Sequence, residues 1–214
     1  MPRSSDGHAF DKSYWDAHWQ GDRSGAPEAI AGSPPNPHLV REIDDLRPGT
    51  ALDAGCGAGA EALWLAARGW QVTGVDIAAD ALARAAERAS ATAVADRARW
   101  VSADLTMWVP STTYDLVTTH YAHAAMPQLE FYDRVSSWVS PGGTLLIVGH
   151  LDHDQGHGDA GPSAAASVTA GGITARLDPA EWEVATAEEL HRTAASHGGA
   201  RTLHDVVVRA IRRH

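Results

Sequence analysis

A single cysteine, Cys56, stands in 214 residues, so no disulfide can close within the chain and a reducing compartment is expected. No apolar run approaches the roughly 20 residues that span a bilayer. The opening Met1-Pro2-Arg3-Ser4-Ser5-Asp6 lacks the apolar stretch of a signal peptide. Cations are scarce: Lys plus Arg number 17 against 27 Asp plus Glu, a formal charge of −10. That deficit argues against a nucleic-acid backbone or an anionic membrane as the main partner. No internal repeat is present. These absences leave a cytoplasmic globular protein as the expectation. A domain near this size buries roughly 70% of its unfolded surface, so the core needs no cross-link. Tryptophan is the abundance to set against the absences, at eight residues. An indole offers a flat apolar wall with one donor, which suits a ligand site.

Residues 1–37 read as a cap or lid segment and 38–214 as one domain. Residues 1–12 are polar. Ser13–Gln20 reads as a short helix with Tyr14, Trp15, His18 and Trp19 on one side. Residues 21–37 carry so many glycines and prolines that a loop is expected. A helix over His38–Leu46, stopped by Pro48-Gly49, opens the domain. Strands are then predicted at Thr50–Ala54, Trp70–Val75, Ala98–Val101, Tyr114–Thr119 and Thr144–Gly149. Helices fall between them at Gly59–Arg68, Ala79–Ser90 and Pro127–Val139, the last closed by Pro141-Gly142-Gly143. This alternation specifies a parallel sheet covered by helices. The unbroken apolar run Leu145–Val148 fits a strand buried on both faces. Gly156–Gly172 reads as a loop. A short helix at Thr169–Leu177 and two antiparallel strands around a turn at His197–Gly199 complete the reading, with a helix at 186–196 as the alternative.

The informative segment is Ala51-Leu52-Asp53-Ala54-Gly55-Cys56-Gly57-Ala58-Gly59. Three glycines at alternate positions follow a strand and open a helix, so the turn can be tight and a ligand can approach backbone. Asp76 ends the second strand, 17 residues after Gly59, where an acid can accept hydrogen bonds from a ribose diol. A dinucleotide enzyme would show G-x-G-x-x-G with a pyrophosphate at the helix start. Here the pattern is G-x-G-x-G, preceded by an acid. Together with Val75-Asp76, Ser102-Ala103-Asp104-Leu105, Tyr114-Asp115-Leu116-Val117 and Pro141-Gly142-Gly143, in that order, it resembles class I S-adenosylmethionine (SAM) methyltransferases over about residues 35–150. Trp15-Asp16, Pro35-Asn36-Pro37-His38-Leu39, Tyr121-Ala122-His123, Gly149-His150 and Trp182-Glu183-Val184 are similar to small bacterial members of the tellurite-resistance-like, thiopurine-like and heterocyclic-toxin kinds.

The resemblance implies an α/β, Rossmann-like, seven-stranded and mostly parallel sheet with helices on both faces. It also implies a C-terminal antiparallel strand and an N-terminal helical lid. It implies SAM as cofactor, with S-adenosylhomocysteine as product. Gly55, Gly57 and Gly59 would admit the methionine part, with Cys56 inside the loop as a packing residue. Asp53 would hold the loop and the cofactor's amino end, and Asp76 the ribose. Ile77 and Leu105 would pack on the adenine, Asp104 would contact its amino group, and His120 would face the methionine end.

A sulfonium methyl is already activated, so the protein must align a nucleophile and exclude water. A hydroxyl or protonated amine acceptor also needs a base, for which histidine suits neutral pH. His120 and His123 follow the fourth strand and His150 the fifth, at the edge where parallel sheets bind ligands. His123 is the foremost candidate base, then His120 and His150, with a polar-rim role as the alternative for each. Tyr14, Trp15, Trp19 and Tyr121 are candidate acceptor-binding rings, with His123 and His150 beside them. The run His150-Leu151-Asp152-His153-Asp154-Gln155-Gly156-His157-Gly158-Asp159 has metal-ligand residue types but no fixed ligand spacing, so no metal is assigned. A metal-assisted O-methyltransferase on that loop stays an alternative. His120-Tyr121-Ala122-His123 replaces the Asn/Asp-Pro-Pro-aromatic motif of nucleobase amine methyltransferases. The expected function is methyl transfer to N, S or O of a small molecule. A non-catalytic SAM-binding regulator and a nicotinamide-dependent oxidoreductase are the competing classes.

Overall fold

The structure is a computed structural model that describes residues 10–20, 34–151, 167–196 and 199–214. Helix α1 spans Lys12–Trp19 and α2 Pro37–Ile43. Strands and helices then alternate: β1 Thr50–Ala54, α3 Ala60–Ala67, β2 Gln71–Asp76, α4 Ala79–Ser90 and β3 Ala98–Ser102. They continue as β4 Tyr114–His120, α5 Gln128–Ser136, β5 Val139–Leu151, β6 Ser167–Val168 and α6 Ala170–Thr174. The last two are β7 Trp182–Ser196 and β8 Gly199–Arg212. The sheet order is β3-β2-β1-β4-β5-β8-β7, with β6 on the end of β5. From β3 to β5 all pairings are parallel, and β8 runs antiparallel to both β5 and β7. The expected seven-stranded, mostly parallel path is therefore present, with β6 as a short addition.

Local chemistry sets the helix starts. The Asp11 side chain accepts from the Tyr14 amide at the head of α1, and the Asn36 side chain accepts from His38 N at the head of α2. Pro37 occupies the first turn of α2, where its missing N–H costs nothing. The core has two faces. On β5, Leu145 and Ile147 join Phe131, Val135 and Ile173, while Leu146 and Val148 join Leu39, Leu65 and Trp70. All four are fully buried, which is why the run carries no polar residue. Helices α5 and α6 cover one face and α2 and α3 the other.

Two expectations are refined. Pro141-Gly142-Gly143 does not separate a helix from a strand. Helix α5 ends at Ser136, and β5 begins at Val139 with the Pro-Gly-Gly run inside it. The pairing moves from Tyr114↔Val139 to Leu116↔Thr144, a bulge that accommodates a residue with no N–H and Gly142 at φ +78°. At the C-terminal end the hairpin forms and the helix at 186–196 does not. Over 186–190 half-buried and exposed residues alternate, and β8 pairs with β7 along its whole length. Among the described residues no helix is long and apolar enough to cross a membrane.

Candidate functional site

The strand order reverses beside β1: β2 and β3 lie to one side and β4 and β5 to the other. Loops leaving the carboxyl ends of β1 and β4 therefore part, and a crevice opens between them. It is a cavity of about 550 Å³.

One end is built from the glycine loop. Gly55, Gly57 and Gly59 have φ of +80°, +49° and +76°, the left-handed region that disfavours side chains. A Cβ on Gly55 would stand 2.3 Å from the Ala122 Cβ. The loop is tied to β2. The Gly55 and Cys56 amides donate to Val75 O, and the Gly57 amide donates to Asp76 Oδ2 at 2.8 Å. Asp76 Oδ1 accepts from the Ala78 amide at 2.9 Å. Burial raises the Asp76 carboxyl above its ordinary value, and the amide bonds oppose that. Asp76, Ile77, Asp104 and Leu105 all line this end, with Gly55, Cys56 and Gly57. Asp104 holds its own turn, accepting from the Thr106 amide and hydroxyl. The Cys56 thiol is pushed well up by burial and by Asp53 and Asp76, so it stays protonated.

Asp53 and Gly59 lie outside the lining. Gly59 caps α3 and packs on Trp100, whose Cη2 is 2.6 Å from a Cβ built there. Asp53 is 1% exposed, its Oδ2 has no partner, and its carboxyl is pushed up by burial, then by Glu61 and Asp76.

The other end is aromatic. Phe10, Tyr14, Trp15, His18 and Trp19 come from α1 and the residues before it. The Trp15 indole N–H donates to the His123 carbonyl at 3.2 Å, tying α1 to the segment after β4. His120, Tyr121 and His123 face the cavity from the end of β4, and His150 from the end of β5. The His123 ring stands 5.0 Å from Phe10 and 5.5 Å from His150, and Tyr121 stands 4.7 Å from His150. Burial lowers both His120 and His123 below the ordinary imidazole value, so both are neutral near pH 7. The structure thus brings together every predicted acceptor-side residue.

Sequence reasoning missed Asp205 and His38. Asp205 lies on β8, is 1% exposed and lines the cavity. It accepts from the Tyr121 hydroxyl at 2.8 Å and stands 3.0 Å from His38 Nε2. Tyr121 has φ +52°, the one positive φ outside glycine among the described residues, and its bond to Asp205 helps hold that turn. The signal for Asp205 was an acid at the head of the buried run Val206–Val208. Among the described residues no three His, Cys, Asp or Glu gather as a metal site, and Asp152–Asp159 lies outside those residues.

Residues 51–143 match a family model described as a methyltransferase domain. Over that stretch the chain is similar to a methyltransferase domain. Trans-aconitate 2-methyltransferase of Streptomyces avermitilis is 35% identical over 124 residues, covering 54% of this chain and 43% of that protein. The chain spans 34% to 60% of the length of the other curated relatives it matches. The fold is similar to magnesium protoporphyrin IX methyltransferase of Synechocystis with bound SAM, at TM-score 0.65 and 18% identity, covering 97% of this chain and all of that one. It is also similar to a structure determined for the conversion of a disulfide bond into a thioacetal group during echinomycin biosynthesis. There the TM-score is 0.72 and the identity 21%, with 94% of this chain and 91% of that one covered. Both structural likenesses span nearly the whole chain.

Proposed function

We propose that the protein transfers a methyl group from SAM to a nucleophilic N, S or O atom of a small molecule by direct in-line displacement. The observation that carries this reading is one cavity with two chemically different ends. Asp76 supplies carboxylate acceptors for ribose hydroxyls, Ile77 and Leu105 supply apolar faces for a purine, and Asp104 supplies an acceptor for its amino group. Asp53 stands buried and outside the cavity lining. When bound, SAM supplies a methyl activated by its sulfonium. Where the acceptor carries a proton, His123 removes it, with His120 and His150 beside it. Helix α1 serves as the lid that excludes water.

The aromatic end narrows the acceptor. Among the described lining residues there is no Lys or Arg, and His120 and His123 are neutral. An uncharged acceptor with a flat apolar body fits the rings of Phe10, Tyr14 and Trp15.

The test is label partition. Purified protein, methyl-labelled SAM and a desalted bacterial extract are incubated and separated by size. Label in the small-molecule fraction is expected, and label on protein or RNA would overturn the reading. Tight SAM binding with no transfer to any fraction would favour the non-catalytic binder. His123→Ala is expected to bind SAM as the native protein does and to transfer methyl more slowly. Equal turnover would return His123 to the rim.

A further inference from the structure

We propose that Gln128 is a positioning residue that fixes the neutral His123 ring with its proton on Nδ1, leaving Nε2 as the proton acceptor. The inference rests on the reading of His123 as the base and adds the residue that aims it.

The argument is one of hydrogen-bond parity. Gln128 opens α5 and is 4% exposed, so its amide has no water to turn toward. On one side the Gln128 side chain stands 3.0 Å from the Ala122 carbonyl oxygen. A carbonyl only accepts, so the atom facing it must be the amide nitrogen. The other side of the same planar amide is then oxygen, and it stands 3.1 Å from His123 Nδ1. An amide oxygen also only accepts, so Nδ1 must donate. A neutral imidazole carries one N–H, so its lone pair is on Nε2. The flipped amide would set two carbonyl oxygens against each other at 3.0 Å in a buried place. Tyr132 packs against the same amide and is compatible with this orientation, since a hydroxyl can donate or accept. Its buried hydroxyl, held protonated with its pKa pushed up to about 12, bonds the Gln128 side chain as well.

The geometry joins two segments that sequence spacing does not connect in function. His123 belongs to the turn after β4, while Gln128 belongs to the first turn of α5. Five residues apart, they form a closed ring through the Ala122 carbonyl. The His123 carbonyl also accepts from the Trp15 indole N–H at 3.2 Å. Both the position of the ring and its tautomer are thus set before any acceptor arrives.

The test reads the tautomer directly and needs no acceptor. Protein labelled with ¹⁵N-histidine is examined at pH 7.5 by long-range ¹H–¹⁵N correlation, with His123 assigned by its loss in His123→Gln. The expected result is a protonated Nδ1 and an unprotonated Nε2 for His123. In Gln128→Leu the Nε2 signal is expected to shift toward the protonated range, with SAM affinity unchanged as the check on folding. In Gln128→Glu the donor to the Ala122 carbonyl is lost but an acceptor for Nδ1–H remains, so the side chain is expected to turn its charge toward the ring, the Nδ1–H to stay and the His123 midpoint to rise. A native His123 protonated on Nε2, or an Nδ1–H that survives in Gln128→Leu, overturns the proposal. If the leucine variant fails to fold, the native spectrum and Gln128→Glu still decide it. Label partition separates the two readings. Methyl transfer with the wrong tautomer sinks Gln128 alone, and the stated tautomer without transfer leaves the positioning intact and removes the reaction.

Discussion

Asp76 holds the glycine loop with one oxygen, through the Gly57 amide, and its own turn with the other, through the Ala78 amide. The same carboxylate faces the cavity, so it shapes the loop and offers acceptors to a ligand at once. Asp76→Ala is expected to weaken SAM binding at least tenfold, since charge-assisted hydrogen bonds contribute about 1.5–3 kcal/mol. Calorimetry checks it, and an unchanged affinity would remove Asp76 from the site. Most of these residues were legible because each sits just after a predicted strand, and a parallel sheet gathers such positions at one edge. Asp76, His120, His123 and His150 were found in that way, and Asp104 came from the family resemblance. Asp205 was not, because it arrives on an antiparallel strand, and nothing local ties its position to that edge. Gln128 was read only as part of a helix. Its contribution lies in which amide atom faces which neighbour, and spacing does not encode that.

Elements were legible where pattern and turn chemistry agreed. Thr50–Ala54 and Ala79–Ser90 form as read, because a glycine loop bounds the one and a strong apolar stripe marks the other. The start of β5 was misjudged because Pro-Gly-Gly is turn chemistry, and a bulge uses the same residues. Helix α1, expected at Ser13–Gln20, forms at Lys12–Trp19. Its own composition is weak, and Trp19 finds its burial against Ala58, Ala78 and Ala81 on the loops after β1 and β2 and on α4. The Arg84 guanidinium adds a bond to the Trp19 carbonyl. If α1 is the lid, Trp15 is its latch. Trp15→Phe keeps an aromatic wall and loses the bond to the His123 carbonyl, so a loss of about 0.5–1.5 kcal/mol in ligand affinity is expected. Trp15→Ala removes the wall too and should cost more. S-adenosylhomocysteine titration checks both, and native affinity in the two variants would show that α1 does not close the site.

At the scale of the whole molecule, opposite titrations meet in the cavity and in the buried carboxyl outside its lining, Asp53. Asp53 and Asp76 have their carboxyls raised, while His120 and His123 have their imidazoles lowered. Burial is the largest cause in all four, because it disfavours whichever form is charged. The consequences for stability run in opposite directions. As pH falls from neutrality toward the ordinary carboxylate value of 3.8, folded Asp53 and Asp76 take protons before their unfolded counterparts, and stability gains. As pH falls through the ordinary imidazole value of 6.5, unfolded histidines take protons that folded His120 and His123 refuse, and stability is lost until the folded rings protonate in turn. A raw stability profile would blend the two, so a difference isolates the histidine. His123→Gln has no imidazole to protonate. Its stability relative to the native protein should be constant above pH 6.5 and should rise in favour of the variant as pH falls below that value. Urea unfolding at a series of pH values measures it. A flat difference would mean that His123 titrates as if exposed. The Nε2 lone pair would then be lost to protonation already in the ordinary imidazole range, and a buried base would no longer describe the site.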